Sequence, residues 1–366
     1  MNKPIVFADF HHDSLYYSLQ LLWENRLGGT LLRPIGTDWQ ERAFWRIAEV
    51  YNNDPGTILQ YLGIRDEVYY PPDDTRPLNA IIESDKGHYL IKGIVNNHKA
   101  VTLEQFKNIK FDIIVTSYLP HYETFTKLRD MYQPQARVVC QAGNNWLHAV
   151  DWGITKNLMA SCAPDPSVPD SVNKVFYHQE FPLDIYRYED PDRYPAVRRI
   201  FSYIRSFVNT FDSSDLFKED FELFSKLEKL MPNYHFESHG ASCRDGVVLG
   251  DHKIAKLMRE SLFGFHLKRG GDGFGHIIFN WFACGRPPIV KMEYYKNQLA
   301  SNLMIDGVTC IAIDGLTPEE IKNKIIKYGE PNIYRELCEN ARKTFDKLVN
   351  FDKEFEEIKL FLDRLQ

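Results

Sequence analysis

The sequence has few features that would attach it to a membrane or to a disulfide framework. No apolar run approaches the roughly 18–20 residues of a membrane span, and the N-terminal MNKPIVFADF leads directly into a strand pattern instead of a signal peptide. The six cysteines are scattered without any Cys-x-x-Cys pair, which is typical of reduced, buried thiols. We therefore expect a cytoplasmic protein without a membrane span.

An excess of positive charge is also missing. The net charge is -6, so no global attraction draws the chain to nucleic acid or to an anionic membrane. The histidines His235, His239 and His252 are not spaced like metal ligands on one element, and we assign no metal site. A nucleic-acid partner is therefore not indicated by charge, although a local basic patch is compatible with this composition.

The length of 366 residues and the order of elements indicate two domains of the α/β class. Apolar strands alternate with amphipathic helices, which predicts a mostly parallel, doubly wound sheet in each half. We expect a Rossmann-like N-terminal domain over 1–190, a Rossmann-like C-terminal domain over 196–348, and a terminal helix over 349–366. The charged run Tyr188–Pro195 reads as the linker.

The elements expected around these boundaries are strands and helices of ordinary length. Predicted strands are Pro4–Phe10, Thr30–Ile35, Phe111–Ser117, Ala136–Gln141, Leu158–Cys162, Arg198–Arg205, Tyr234–Ser238, Phe263–Leu267 and Val308–Ile313. Predicted helices are Ser14–Arg26, Asp38–Tyr51, Ser213–Met231, Lys253–Ser261, one capped by Thr317 and begun by Pro318, and two long polar helices before Gln366. The proline-containing stretch Asn52–Lys86 reads as an insertion.

One glycine-rich loop carries most of the functional information. Residues 264–290 read as a strand, a loop with Gly270, Gly271, Gly273 and Gly275, an apolar helix and a second strand. Glycines let a backbone turn tightly and approach a ligand, and the amides of a following helix point at that turn. Asp272 lies in the loop, and Asn280 follows eight residues later among apolar helix residues, where a buried amide needs a partner. This pattern predicts a site for an anion or a sugar.

The same segment resembles the donor-binding signature of retaining GT-B glycosyltransferases. The resemblance rests on Gly273-Phe274-Gly275 and on Ala283-Cys284-Gly285-Arg286-Pro287 at the family's spacing. Only residues 264–290 match at the level of motifs, and the rest of the chain is similar in the order of its elements. The family usually has two glutamates separated by seven residues, where this chain has Asp272 and Asn280. Asp keeps the charge with a shorter reach, and Asn keeps hydrogen bonding without the charge.

The resemblance implies a GT-B fold, with two Rossmann-like domains facing across a cleft, and a nucleotide-sugar donor on the second domain. UDP is preferred over GDP or ADP as the nucleotide, and no cofactor is implied. Asp272 would bind sugar hydroxyls and Asn280 the ribose. The other implied donor-binding residues are Arg205, Lys268, Arg269, Gly271, Gly273, Phe274, Gly275 and His276. Basic side chains would stabilise the leaving diphosphate without a metal.

On the first domain, the resemblance places the acceptor at loops that follow the strands. His11 and His12 follow the first strand and are candidate catalytic residues. The acceptor-side candidates are Asp13, Tyr118, His121, Asn144 and Asn145. Asp13 is equally placed to cap the next helix, and Asn144 and Asn145 stand where many relatives have a histidine.

The expected activity is hexosyl or pentosyl transfer with retention, to a glycan, a lipid-linked or a small-molecule acceptor. Two alternatives remain open at this point. One is a phage-type DNA glycosyltransferase acting on hydroxymethylated bases, which would need a basic groove. The other is an inactive GT-B protein that binds a nucleotide or a glycan, which the Asn280 departure makes credible.

Overall fold

The structure, a computed structural model, describes most of the chain. The described residues are 3–9, 13–34, 67–68, 91–92, 99–101, 103–117, 119–143, 147–187, 193–204, 207, 217–240, 243–246, 248, 251–272 and 275–366. The helix predicted at Asp38–Tyr51 lies outside them. So does the predicted insertion Asn52–Lys86, apart from Glu67–Val68, which pairs antiparallel with Ile91–Lys92.

The chain divides into two compact units. The first contains residues 1–181 and 351–366, and the second contains residues 182–350. The division falls after Phe181 and after Asn350, whereas the sequence patterns placed the domain ends at 190 and 348. Among the described residues, no helix is long and apolar enough to cross a membrane.

The first unit is built on a seven-stranded parallel sheet within the described residues. The strands of this unit are β1 (Ile5–Ala8), β2 (Thr30–Pro34), β3 (Glu67–Val68), β4 (Ile91–Lys92), β5 (Lys99–Val101), β6 (Ile113–Thr116), β7 (Arg137–Gly143), β8 (Asn157–Ser161) and β9 (Asn173–Phe176). The sheet order is β5-β2-β1-β6-β7-β8-β9. The central strands β6 and β8 are buried on both faces, because helices cover a parallel sheet from both sides.

The helices of the first unit follow the strands in alternation. They are α1 (Asp13–Gln20), which continues as a π-helical turn over Leu21–Arg26, α2 (Leu103–Asn108) and α3 (Leu119–Tyr132). Part of the core is an aromatic cluster: the Phe7 ring lies 4.8 Å from Phe106, 5.6 Å from Phe111 and 5.3 Å from Phe125, centroid to centroid. Edge-on contacts of this kind add to the area burial of the rings.

In its described part, the second unit is built on a five-stranded parallel sheet. Its strands are β10 (Arg199–Tyr203), β11 (His235–His239), β12 (Phe263–Phe265), β13 (Pro288–Val290) and β14 (Ile311–Ala312), in the order β11-β10-β12-β13-β14. Its helices are α4 (Leu183–Tyr186), α5 (Lys218–Leu230), α6 (Asp251–Arg259), α7 (Ile277–Ala283), α8 (Pro318–Tyr328) and α9 (Pro331–Leu348), with short 3-10 turns at Met292–Tyr295 and Leu299–Leu303. The sequence-based expectation of an α/β fold with two parallel sheets is confirmed.

The end of the chain packs on the first unit. Helix α10 (Phe351–Leu362) contacts β9, where Asn173 Nδ2 donates to the carbonyl of Phe361 at 3.0 Å. The backbone amide of Gln366 donates to Asn157 Oδ1 at 3.0 Å, and Arg26 pairs with Asp352 at 2.9 Å. These contacts account for the grouping of residues 351–366 with the first unit.

Two local predictions in the second unit are confirmed. Thr317 caps α8 in a capping box with Glu320, and Pro318 is the first helical residue, as the sequence indicated.

The strand β12 lies in the middle of the sheet, between β10 and β13, and it leads into the glycine-rich loop. Ligands of parallel sheets bind beyond the carboxyl ends of the strands. Residues 266–280 follow β12 and are therefore the candidate ligand site.

Gly264 in β12 gives a test of how α7 packs on the sheet. A Cβ at this position would overlap the ring of the buried Trp281 in α7. We expect Gly264→Ala to lower the free energy of unfolding by about 2 kcal/mol, because the ring and the strand are both fixed by packing. Denaturant unfolding measures this. The control is Gly153→Ala, where the only contact is the end of the Asp151 side chain, and an equal loss in both variants would contradict the packing.

Candidate functional site

The loop after β12 turns on two glycines. Gly270 and Gly271 have φ angles of 79° and 73°, in the region that side chains rarely adopt, and the amide of Gly271 donates to the carbonyl of Lys268 at 2.9 Å. Gln298 Nε2 donates to the carbonyl of Gly270 at 3.0 Å. A Cβ on Gly271 would overlap the Gln298 carboxamide. The turn therefore needs glycine for its backbone angle and for space.

Asp272 is the centre of a buried polar cluster that the turn brings together. Its carboxylate is 2% exposed. Oδ1 accepts a hydrogen bond from Lys268 Nζ at 2.9 Å. Oδ2 accepts from His266 Nε2 at 3.1 Å and from the backbone amide of Ile278, in the first turn of α7, also at 3.1 Å. The His266 imidazole, the Lys268 ammonium and the Ile278 amide thus all bind this one carboxylate.

The surroundings keep this carboxylate ionised. Burial by itself raises the pKa of Asp272, but the Lys268 ammonium and the His266 imidazole outweigh it and hold the pKa well below its usual range. The neighbouring Tyr295 shows the opposite effect, because burial and the Asp272 charge raise the pKa of its phenol well above the ordinary value. Tyr295 therefore stays protonated, and its hydroxyl donates to the carbonyl of His266 at 3.3 Å.

His276 and Asn280 lie one helical turn apart at the start of α7. Asn280 is fully buried, and its Oδ1 lies 3.0 Å from His276 Nδ1. Asn280 Nδ2 has no hydrogen-bond partner among the residues that the structure describes. A buried amide donor is costly to leave without an acceptor. Asn280 therefore presents a neutral donor where the resembling family has a carboxylate.

The two basic residues before the glycines have different surroundings. The Lys268 side chain is 29% exposed and pairs with Asp272. Arg269 is more exposed, with Nη2 at 3.0 Å from Glu219 Oε2 and at 3.5 Å from the Tyr294 hydroxyl. Both cations thus carry partners of the second unit, and Lys268 is the one that belongs to the Asp272 cluster.

The structure unites part of the predicted site. It brings Lys268, Gly271, Asp272, Gly275, His276 and Asn280 into one loop and helix start. The amide of Gly275 donates to the carbonyl of Asp272. Outside the described residues lie His11, His12, Tyr118, Asn144, Asn145, Arg205, Gly273 and Phe274. For Asp13 in α1 and His121 in α3, the backbone is described and the side chain is not. The roles given to all these residues stay predictions.

Two residues of the site were not predicted from the sequence. His266 is 1% exposed and follows β12 directly, so its only signal was a histidine within the apolar run Phe263–Leu267. Gln298 is 3% exposed and reaches the loop from the turn before Leu299. No local pattern marks Gln298, because its contact with Gly270 exists only in the folded chain.

The second half of the matched motif has a structural role in this chain. Gly285 ends α7 with a φ of 63°, and Arg286 is buried at 1% exposure. The Arg286 guanidinium donates to the carbonyl of Arg259 at 3.0 Å, to the Tyr334 hydroxyl at 3.0 Å and to the carbonyl of Arg193 at 3.1 Å. Arg286 therefore links the end of α7 to α6, to α9 and to the backbone at Arg193.

The described part of the chain offers no cluster of metal ligands. Among the described residues, no group of three or more histidine, cysteine, aspartate or glutamate side chains has the geometry to hold a metal ion. The string Asp190-Pro191-Asp192 lies in the stretch 188–192, beyond what the structure describes.

Comparison with known proteins gives one sequence relative and several structures. No protein-family model matches the chain. An uncharacterized glycosyltransferase of Methanocaldococcus jannaschii is 31% identical over 114 residues, which are 31% of this chain and 28% of that protein. The match thus spans little more than a quarter of the relative's length.

Solved structures align over nearly the whole chain. HepE of Anabaena in complex with UDP-glucose has a TM-score of 0.59 at 13% identity, over 99% of both chains. TarM has a TM-score of 0.60 at 8% identity, also over 99% of both chains. The fold is GT-B. In this GT-B chain the glycine loop, the Asp272 cluster and α7 all belong to the second unit, as the sequence motif implied.

Gly271 gives a test of the loop geometry in this GT-B protein. We expect Gly271→Ala to lower the free energy of unfolding by about 3 kcal/mol, because a strained φ and an overlap with Gln298 act together. Denaturant unfolding of Gly271→Ala, Gln298→Ala and the double variant forms a cycle. The double variant should lose less than the sum of the single losses, and strict additivity would show that Gln298 does not limit position 271.

Proposed function

We propose that this GT-B protein is a glycosyltransferase that moves a sugar from a UDP-sugar to an acceptor hydroxyl. The observation that carries the proposal is Asp272, a buried and ionised carboxylate held at the end of β12 within the Gly-Phe-Gly and Ala-Cys-Gly-x-Pro pattern. UDP as the nucleotide is supported by HepE, whose structure contains UDP-glucose in the same fold.

The donor-side roles follow from the chemistry of the loop. Asp272 Oδ1 accepts a sugar hydroxyl, since Oδ2 already has two donors. Lys268 shares its ammonium between Asp272 and the diphosphate, together with Arg269 and Arg205. Asn280 donates to the ribose through Nδ2. The cations stabilise the charge that develops on the leaving diphosphate, and a preorganised charge of this kind lowers the barrier of transfer.

The stereochemical outcome we propose is retention. The resemblance to enzymes with two glutamates separated by seven residues supports it, with the acceptor attacking on the face from which the diphosphate leaves. Asp272 then orients the sugar and forms no covalent bond to it. The choice between a hexose and a pentose depends on which sugar places a hydroxyl where it can donate a hydrogen bond to Oδ1 of Asp272.

The acceptor belongs to the first unit in this proposal. His11 and His12 contact the reacting hydroxyl, and Asp13, Tyr118, His121, Asn144 and Asn145 line its surroundings. The acceptor is a glycan, a lipid-linked saccharide or a small molecule. Turnover that requires hydroxymethylated DNA would instead assign the base-modifying reaction, which the net charge of -6 does not favour.

Asp272→Asn is the direct test of the proposal. Loss of the charged acceptor at a sugar with developing positive charge should lower kcat/KM about a hundredfold, or roughly 3 kcal/mol in the barrier. The measurement is transfer or donor hydrolysis with a panel of UDP-sugars. Asp306→Asn is the matched control, because Asp306 also pairs with a lysine, Lys324, and with a backbone amide, that of Ala312, at another place in the second unit.

The outcomes of this test separate an active enzyme from an inactive binding protein, and a role of Asp272 in transfer from a role in stability. Binding of a UDP-sugar without any turnover in the wild type identifies an inactive binding protein. Wild-type turnover in a folded Asp272→Asn variant removes Asp272 from the site. A loss that is equal in Asp272→Asn and Asp306→Asn indicates general destabilisation instead of a role in transfer.

Metal independence is a second expected outcome. With cationic side chains at the diphosphate, the initial rate should change less than about twofold when EDTA replaces Mg²⁺ or Mn²⁺. The double variant Asp190→Asn/Asp192→Asn should behave like the wild type in the same assay. If EDTA abolishes activity and a divalent ion restores it, a metal ion stabilises the leaving diphosphate. If the divalent ion no longer restores activity in the double variant, Asp190 and Asp192 are the metal ligands.

A further inference from the structure

The two oxygens of Asp272 are not equivalent. Oδ2 has two donors, His266 Nε2 and the amide of Ile278, both at 3.1 Å. Among the side chains that the structure describes, Oδ1 has one donor, the Lys268 ammonium at 2.9 Å. His266 is 1% exposed, whereas the Lys268 side chain is 29% exposed. Oδ2 therefore faces the buried partner and Oδ1 faces the more exposed one.

His266 is also held in place by contacts that do not involve Asp272. Its backbone amide donates to the carbonyl of Ile289 in β13 at 3.0 Å, and its carbonyl accepts from the Tyr295 hydroxyl at 3.3 Å. The two rings lie 6.3 Å apart at an angle of 31°. Nε2 carries a proton, because it faces a carboxylate that can only accept. Nδ1 has no hydrogen-bond partner among the described residues, so the contact with Asp272 is the one that orients the ring.

Resting on the proposed function, we propose that His266 is a positioning residue for transfer: its Nε2–H fixes Oδ2 of Asp272 so that Oδ1 meets the donor sugar. Asp272 has a shorter side chain than the glutamate of the resembling family, so a small rotation removes Oδ1 from a sugar hydroxyl. Without His266, the Ile278 amide is the remaining described donor to Oδ2, and the partly exposed Lys268 draws the carboxylate toward solvent. A positioning error of about 1 Å costs on the order of a hundredfold in rate.

The groups that face Asp272 determine the sign of a pH test. They are Lys268 and His266 from the strand end and loop, the Ile278 amide from α7, and the Tyr295 hydroxyl behind His266. Removing the His266 donor leaves burial less opposed, so the pKa of Asp272 rises from its depressed value. Because activity needs the ionised carboxylate, the acidic limb of the pH profile moves to higher pH.

The experiment compares His266→Phe, which has no donor, with His266→Gln, which keeps a donor N–H. His235→Gln is the control, since His235 is exposed on the same unit. The first measurement is the pH titration of the Asp272 carboxyl carbon by NMR, assigned by its absence in Asp272→Asn. The second is kcat/KM for transfer against pH.

In the wild type and in His235→Gln, the Asp272 signal should stay constant down to about pH 4, the pH near which an ordinary aspartate is half protonated. In His266→Phe the midpoint should rise by about one to two pH units, as expected for loss of a hydrogen bond to a charge. The acidic limb of kcat/KM should move with it, and kcat/KM at neutral pH should fall at least tenfold. His266→Gln should restore most of both.

Failure of this inference is distinct from failure of the proposed function. If the wild type transfers sugar, and the Phe variant keeps the wild-type titration and acidic limb, His266 does not position Asp272. If no protein transfers sugar while the titration shifts, the proposed function is wrong and the contact with Asp272 stands alone. If His266→Phe does not fold, His266→Met, which also lacks a donor, takes its place, and a Gln variant as impaired as either also overturns the inference.

Discussion

The glycine-rich loop of the second unit is organised around the buried carboxylate of Asp272. A carboxylate at 2% exposure costs several kcal/mol to bury unless charges and hydrogen bonds surround it. Three donors meet this condition for Asp272. His266 follows β12, Lys268 lies at the start of the glycine turn, and the Ile278 amide lies in the first turn of α7. The positive φ angles of Gly270 and Gly271 are the backbone geometry that lets these three donors converge.

The sequence predicted the elements around this charge better than the contacts that satisfy it. Strand, glycine turn, helix and second strand follow from local patterns, as does the cap at Thr317, because hydrophobic periodicity and capping are local properties. His266 was hidden, since one polar residue in an apolar run reads as part of a buried strand. Lys268 was predicted as a diphosphate ligand from its charge and its place before the glycine loop, and the sequence did not indicate that its ammonium also pairs with Asp272 four residues later.

The replacement of two acidic positions by Asp272 and Asn280 changes the electrostatics of the loop. A second carboxylate in α7 would repel both Asp272 and the diphosphate proposed to bind here, and it would need its own cation. Asn280 avoids this because its Oδ1 is paired with His276 and its Nδ2 is a neutral donor. The loop thus keeps one negative charge, matched by Lys268, and the remaining cation Arg269 is held at the rim by Glu219 and Tyr294.

The first unit uses a buried aspartate at a comparable place, with different chemistry. Asp9 follows β1 and is 2% exposed, and its carboxylate accepts from the Ser117 amide at 2.8 Å and from the Ser117 hydroxyl at 2.5 Å, just after β6. These two donors are neutral and lie just after an adjacent parallel strand, so this contact links the ends of β1 and β6. Asp272 is held instead by a partly exposed ammonium, whose partner a ligand can replace. A carboxylate whose cation reaches solvent can exchange that contact for a ligand, and for this reason we place the proposed chemistry at Asp272.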